Sequence, residues 1–203
     1  MDTEAIASTI KIQQVNEKDT KTLFGFWVYV MTDCVLFASL FAVYAVLHRN
    51  TFGGPSGSQI FNLPYILGET MLLLSSSFTC GLATISLQQK NKQKVIAFFG
   101  LTFLLGFGFL FMELREFHHL AMIGDSWTRS GFLSSYFTLV GTHGLHITIG
   151  LIWMSVMMIR VWRGGLSKSI SRRLKMLALF WHFLDVIWIF IFSIVYLFGA
   201  LNI

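Results

Sequence analysis

Residues 23–47 read LFGFWVYVMTDCVLFASLFAVYAVL, an apolar run that carries a single charge, Asp33. A helix needs roughly 20 mostly apolar residues to cross the hydrocarbon core of a bilayer. This run is long enough. Its apolar residues are continuous and do not alternate, so it reads as a spanning helix and not as a strand of a membrane barrel. Working outward from it, four further segments qualify: residues 64–87, 95–114, 132–159 and 176–200. The predicted fold class is all-α, a polytopic membrane bundle of five transmembrane helices over residues 23–203, preceded by a polar tail over 1–22. The fourth segment is long enough to tilt or to extend past the bilayer.

Composition supports this reading. The chain has 203 residues, of which 55% are hydrophobic and 12% charged, and its mean hydropathy is +0.67. A soluble domain is about 25% charged, so too few charges exist here to cover the apolar residues against water. Cys34 and Cys80 each lie within an apolar run and read as reduced packing residues, not as a disulfide framework. Residues 1–22 do not read as a signal peptide. The apolar run that follows is too long for an h-region of roughly 7–15 residues, and no small-residue cleavage site comes after it.

Charge placement gives an orientation. The net charge of +5 and the pI near 9.4 would suit nucleic acid, but the basic residues gather at membrane edges. Lys11, Lys18 and Lys21 precede the first segment, and Lys90, Lys92 and Lys94 lie between the second and third. Arg160, Arg163, Lys168, Arg172, Arg173 and Lys175 lie between the fourth and fifth. In a five-helix chain these regions share one side. The other side holds only Arg49, Arg115 and Arg129. The positive-inside rule then predicts a cytoplasmic N-terminus and a periplasmic C-terminus. No internal repeat is visible, which argues against an inverted-repeat transporter.

Ionisable groups inside spanning segments cost about 2.5–3.5 kcal/mol on insertion scales and should face protein, water or a partner. Here they are Asp33, Glu69, His143, His146, His182 and Asp185, with Glu113 and Glu116 at the end of the third segment. Asp33 falls roughly 15 Å and Asp185 about 13–14 Å in from the basic side, at about 1.5 Å per residue. His143 and His146 share one helix face, as do His182 and Asp185. These groups are expected to form a polar seam, with Asp33 or Asp185 touching a histidine of the fourth segment. Three chemistries compete for them. His143 and His182 would hold a haem if Gly141 and Gly144 left room for it. A carboxylate–histidine chain would carry protons. A metal site from Glu116, His118 and His119 is disfavoured, because adjacent helical residues diverge by about 100°. No serine sits in a nucleophile context, so hydrolase readings fail.

The segments FGFWVYVMTDCVLFASLFAVYA (24–45), ETMLLLSSS (69–77), MELREFHHL (112–120), SGFLSSYFTLVGTHGLHITIGLIW (130–153) and WHFLDVIWIFIFSIVYLFG (181–199) together resemble subunit III of the haem–copper respiratory oxidases. The resemblance covers the chain after Thr22. It matches the last five helices of the seven-helix members, and the FGFW start with MELREFHHL looks most like the subunit III of bacterial bo-type ubiquinol oxidases. The resemblance implies a non-catalytic subunit of a proton-pumping terminal oxidase, in which quinol is oxidised and oxygen reduced to water. Subunit I would be the main contact and would carry the haems and copper, and subunit II and a small subunit IV would share the complex. The chain itself would hold no cofactor or metal and would bind structural phospholipids in the bacterial inner membrane. Asp33 matches a family position usually held by Glu, while Glu116, His143, His146, His182 and Asp185 match family positions directly. The reading from another class is a free-standing proton or solute transporter built on the Asp–His seam.

Overall fold

The computed structural model describes the backbone of residues 2–54 and 57–201 and the side chains of residues 20–54, 57 and 60–199. Among them the chain is helical without strands. The elements are α1 (Asp2–Leu47), a single turn α2 (Gly57–Ile60), α3 (Leu63–Gln88), α4 (Lys92–Ile123), α5 (Gly131–Gly164) and α6 (Lys168–Ile191). A π-helical turn, Phe192–Leu197, carries α6 into a short α7 (Phe198–Leu201). Five spans are long and apolar enough to cross a membrane: Thr20–Leu47, Leu63–Gln88, Lys92–Ile123, Gly131–Gly164 and Lys168–Leu197.

The helices outrun their apolar segments. α1 is helical from Asp2, and the side chains of Lys11 and Lys18 lie outside the described residues. α4 continues past Leu114 to Ile123, so Glu116, His118 and His119 are helical and not part of a loop. α5 and α6 run from Gly131 to Gly164 and from Lys168 on, which draws most of the basic stretch 160–175 onto helix. The physical reason is capping. Asn91, Ser130 and Ser167 each accept a backbone N–H from Lys94, Leu133 and Ile170, so α4, α5 and α6 start there and not at their first apolar residue. Gly124, at φ +90, ends α4, and Pro64 in the first turn suits the start of α3.

The chain divides into two compact units between Ser39 and Leu40. In the first unit, Tyr29 donates a hydrogen bond to the Asp33 carboxyl one turn away, and Asp33 is buried. In the second unit, α3, α4, α5 and α6 pack in a ring, each against two neighbours. The three-residue turns α3–α4 and α5–α6 make α3 antiparallel to α4 and α5 to α6. They place the basic residues at one end, hereafter the basic end. There Lys92 Nζ donates to the carbonyl of Trp162 at 2.9 Å, joining the start of α4 to the end of α5.

The centre of the ring is held by two tryptophans of α6. Trp181 and Trp188 are each at most 1% exposed. The Trp181 indole N–H donates to Ser76 Oγ at 3.0 Å, and that of Trp188 to Thr70 Oγ1 at 3.1 Å. A Cβ added at Gly106 would stand 2.6 Å from the Trp181 ring, and one at Gly150 would stand 3.1 Å from it. Glycine on α4 and α5 thus admits the largest side chain between them, a packing device suited to a medium in which burial against lipid gives little. Thr79 and Thr102 share a hydrogen bond of 2.8 Å across α3 and α4, and Tyr65 donates to the carbonyl of Met112 at 3.0 Å.

Candidate functional site: the intramembrane polar clusters

The ionisable residues singled out in the sequence separate into distinct places. Near the end of the ring opposite the basic end, Glu69 of α3 and Glu113 of α4 are buried, and the charges of Glu69 and Glu116 reach Glu113. Both oxygens of Glu69, both of Glu113 and Oε2 of Glu116 are buried without a hydrogen-bond partner among the described residues. Glu116 accepts a hydrogen bond from the Tyr136 hydroxyl, and Tyr136 shares a 3.0 Å bond with Tyr196 of the π-helical turn. The Glu113 carboxyl lies over Gly144, where an added Cβ would come within 2.7 Å of Oε1. His118 and His119 are exposed on the outer surface of α4 while Glu116 turns inward, so the metal grouping considered from sequence is not assembled.

Halfway along the ring, His143 is fully buried. Its ring stacks on Trp188, with centroids 5.3 Å apart and planes at 29°, and meets the edge of Phe109. His146 Nδ1 bonds the carbonyl of Thr142 one turn back at 2.8 Å. The third cluster lies between α3 and α6. Ser77 Oγ and His182 Nδ1 are 2.7 Å apart, and Ser77 also hydrogen-bonds Asp185. A serine has one proton. If it is donated to the Asp185 carboxyl, His182 must carry its own proton on Nδ1 to donate to Ser77. Asp185 thus meets Ser77 on α3 and lies within electrostatic reach of His182 on its own helix.

Could the histidine pair hold a haem? The space it would need is filled from within the chain. Phe117 lies against Gly141, Glu113 against Gly144, and Trp188 against the face of His143. The residues present do not fit a macrocycle. Sequence reasoning missed the groups that do the joining: Ser76, Ser77, Thr70, Trp181, Trp188, Tyr136 and Tyr196. Neutral hydroxyls and indoles in an apolar run carry no charge to draw attention. The signal available was the pairing of two tryptophans with a hydroxyl-rich stretch, SSS, on a neighbouring helix.

The profile of the family described as "Cytochrome c oxidase subunit III" matches residues 6–200. The chain belongs to that family. It is 58% identical over 180 residues to the cytochrome bo(3) ubiquinol oxidase subunit 3 of Pseudomonas aeruginosa, covering 89% of this chain and 86% of the relative. To the cytochrome c oxidase subunit 3 of Bacillus sp. strain PS3 it is 44% identical, covering 88% and 86%. To the quinol oxidase subunit 3 of Bacillus subtilis it is 38% identical, covering 95% and 94%. A subunit III is one part of a multisubunit oxidase, and five apolar spans make this one a multi-pass membrane protein. The clusters described above are thus the interior of an oxidase subunit.

Proposed function

We propose that the chain is the non-catalytic subunit III of a proton-pumping quinol oxidase of the bacterial inner membrane. Its N-terminus faces the cytoplasm and its C-terminus the periplasm. It packs against subunit I, which carries the haems and copper, in a complex that also contains subunit II and a small subunit IV. Its work is to cover and stabilise a flank of subunit I and to hold phospholipids against it. The quinol assignment rests on relatives named as ubiquinol oxidase subunits, at up to 58% identity. The observation that carries the non-catalytic role is the filled interior: Trp181 occupies the gaps at Gly106 and Gly150, and Glu113 the gap at Gly144. That packing supports a chain whose helical interior takes up neither substrate nor cofactor. The cytoplasmic N-terminus follows from the twelve Lys and Arg residues on one side against three on the other. Asp33, Glu69, Glu113, Glu116, His143, His146, His182 and Asp185 hold helix packing in this reading and do no chemistry of their own.

The test is purification through a C-terminal tag in mild detergent. A stoichiometric set that includes a large subunit bearing haem and copper is expected. A stable, colourless chain without partners would overturn the assignment and make the transporter reading the one to pursue. An alkaline phosphatase fused after Ile203 should be active; an inactive fusion would reverse the orientation.

A further inference from the structure

Glu69 of α3 is 0% exposed and Glu113 of α4 1% exposed, and neither carboxyl has a hydrogen-bond partner among the described residues. Acids near one another make only a cluster. A site needs a place built for the group, and Glu113 has one. Its carboxyl lies over the α5 backbone at Gly144, where any side chain would meet Oε1 at 2.7 Å. The donors nearby are already committed. Tyr136 gives its proton to Glu116, so in the 3.0 Å bond between the two tyrosines Tyr196 is the donor and Tyr136 the acceptor. Tyr65 donates to the carbonyl of Met112. His143, beside Gly144, is turned onto Trp188 and Phe109. Arg115 is exposed.

An ionised carboxyl can only accept hydrogen bonds. The charges that reach these two are those of other glutamates: Glu116 for Glu69, and both Glu69 and Glu116 for Glu113. Burying an isolated carboxylate costs far more than burying a neutral polar group, and a like charge nearby adds to that cost. A proton on each carboxyl removes both penalties. It leaves a neutral acid, and for packing alone an apolar side chain would serve better. The pair also has a way out on one side. Glu116 and Tyr65 are half-buried, toward the end of the ring opposite the basic end, and Tyr65 lies within electrostatic reach of both Glu69 and Glu116. Glu116 stands about 10 Å from the Ile123 end of α4 and Glu69 about 9 Å from the Leu63 end of α3, at about 1.5 Å per residue.

We propose that Glu69 and Glu113 form a proton-binding site, each holding its carboxyl in the acid form, and that they exchange those protons with the surface opposite the basic end through Glu116. The step is proton transfer alone. An O–H bond at Glu69 or Glu113 breaks as one forms at Glu116, and Glu116 passes the proton to water at the surface; nothing is oxidised or reduced. The bond from Tyr136 holds Glu116 at the mouth of the site, and Gly144 leaves the space that the Glu113 carboxyl takes. This goes beyond the packing role given to these residues above. It stands apart from the subunit reading, because every group in it belongs to this chain.

The test is infrared spectroscopy of the tagged chain as it purifies from membranes, with its partners, at neutral pH. Protonated carboxylic acids absorb apart from ionised carboxylates, and their carbonyl band moves when the proton is replaced by deuterium. Difference spectra against the unaltered protein are expected to show that Glu69→Gln and Glu113→Gln each remove an acid band and no carboxylate band. Glu113→Met, which leaves no polar group to bury, must remove the same band as Glu113→Gln, so the readout survives if the glutamine variant accumulates poorly. Both bands should move in D2O, and Glu116→Gln should slow that movement by at least about tenfold. Loss of carboxylate absorption in place of the acid bands overturns the proposal, and so does an acid region that the substitutions leave unchanged. Acid bands that never move in D2O, or that move as fast in Glu116→Gln as in the unaltered protein, overturn the exchange through Glu116. A preparation lacking every other oxidase subunit would overturn the subunit reading and leave these bands to be read on the chain alone.

Discussion

Helix α6 shows two faces of one short motif, WHFLDVIW over residues 181–188, and they are finished differently. On the inner face Trp181 and Trp188 are sealed, each indole donating to a hydroxyl of α3 and each ring packed on helices across the bundle. On the outer face His182 and Asp185 also reach a hydroxyl of α3, Ser77, but they line an open groove, and the buried Oδ1 of Asp185 has no hydrogen-bond partner among the described residues. The same helix pair is thus closed toward the bundle axis and open outward. The lesson concerns what polar residues do inside a membrane protein. Fully paired, they fix how the chain's own helices pack. Along an open groove, they join two helices without sealing the seam between them.

The sealed face should be by far the more sensitive. Gly106→Val would drive a Cβ to 2.6 Å from the Trp181 ring, and that ring is held on its other edges by Gly150 and Ser76. It cannot withdraw. The expected result is loss of the folded chain, with membrane accumulation by immunoblot falling at least tenfold, on the scale of the about 1–3 kcal/mol that overpacking costs and beyond. Normal accumulation of Gly106→Val would show that Trp181 is not the fixed centre of the ring. Trp181→Ala should come next, since removing a buried tryptophan costs about 3–5 kcal/mol in soluble cores and here also removes the donor that Ser76 Oγ accepts, while Ser76 keeps its own bond to the Leu73 carbonyl.

The outline of this arrangement was legible in the sequence, and its centre was not. Apolar runs of sufficient length settled five helices, because the bilayer admits few alternatives. Helix ends were placed short wherever a cap lay beyond the apolar run: Ser167 starts α6 eight residues before Met176 because a serine oxygen there receives a backbone N–H. Among site residues, Glu69, Glu113, His143, His182 and Asp185 stood out because charge is rare in such runs, and all prove buried or half-buried. Their partners did not stand out. Whether Asp185 faces Ser77 or a histidine of α5 depends on helix rotation, which spacing within one helix cannot supply. The glycines were read as room for a macrocycle, but the rings of Trp181 and Phe117 and the carboxyl of Glu113 fill them.

A third region sharpens the comparison in the opposite direction. Glu113 is buried in the ring, with neither oxygen partnered among the described residues and two further glutamates in electrostatic reach. By the rule that partly satisfied buried polar groups weaken a fold, Glu113→Met should stabilise. The expected gain is about 1–3 kcal/mol, read as a rise in the temperature at which the chain dissociates from the purified oxidase. A fall instead would mean that the glutamates are answered by something that the helices themselves do not supply.

The smallest effect belongs to Ser77→Ala. The hydroxyl joins His182 to Asp185, yet interhelical hydrogen bonds in membranes average only about 0.6 kcal/mol. His182 and Asp185 share a face one turn apart and can move toward each other when the serine is shortened. The chain should therefore accumulate normally, with a change in dissociation temperature near the limit of measurement. The informative quantity is coupling. Combined with Trp188→Phe, which removes the separate bond to Thr70, Ser77→Ala should add within about 0.5 kcal/mol, because the inner and outer faces share no partner. Combined with Asp185→Asn it should fall clearly short of additivity, because both changes act on one bond. Strong coupling to Trp188 would mean that the two faces of α6 form a single network, and the contrast between a sealed side and an open side would no longer describe the helix.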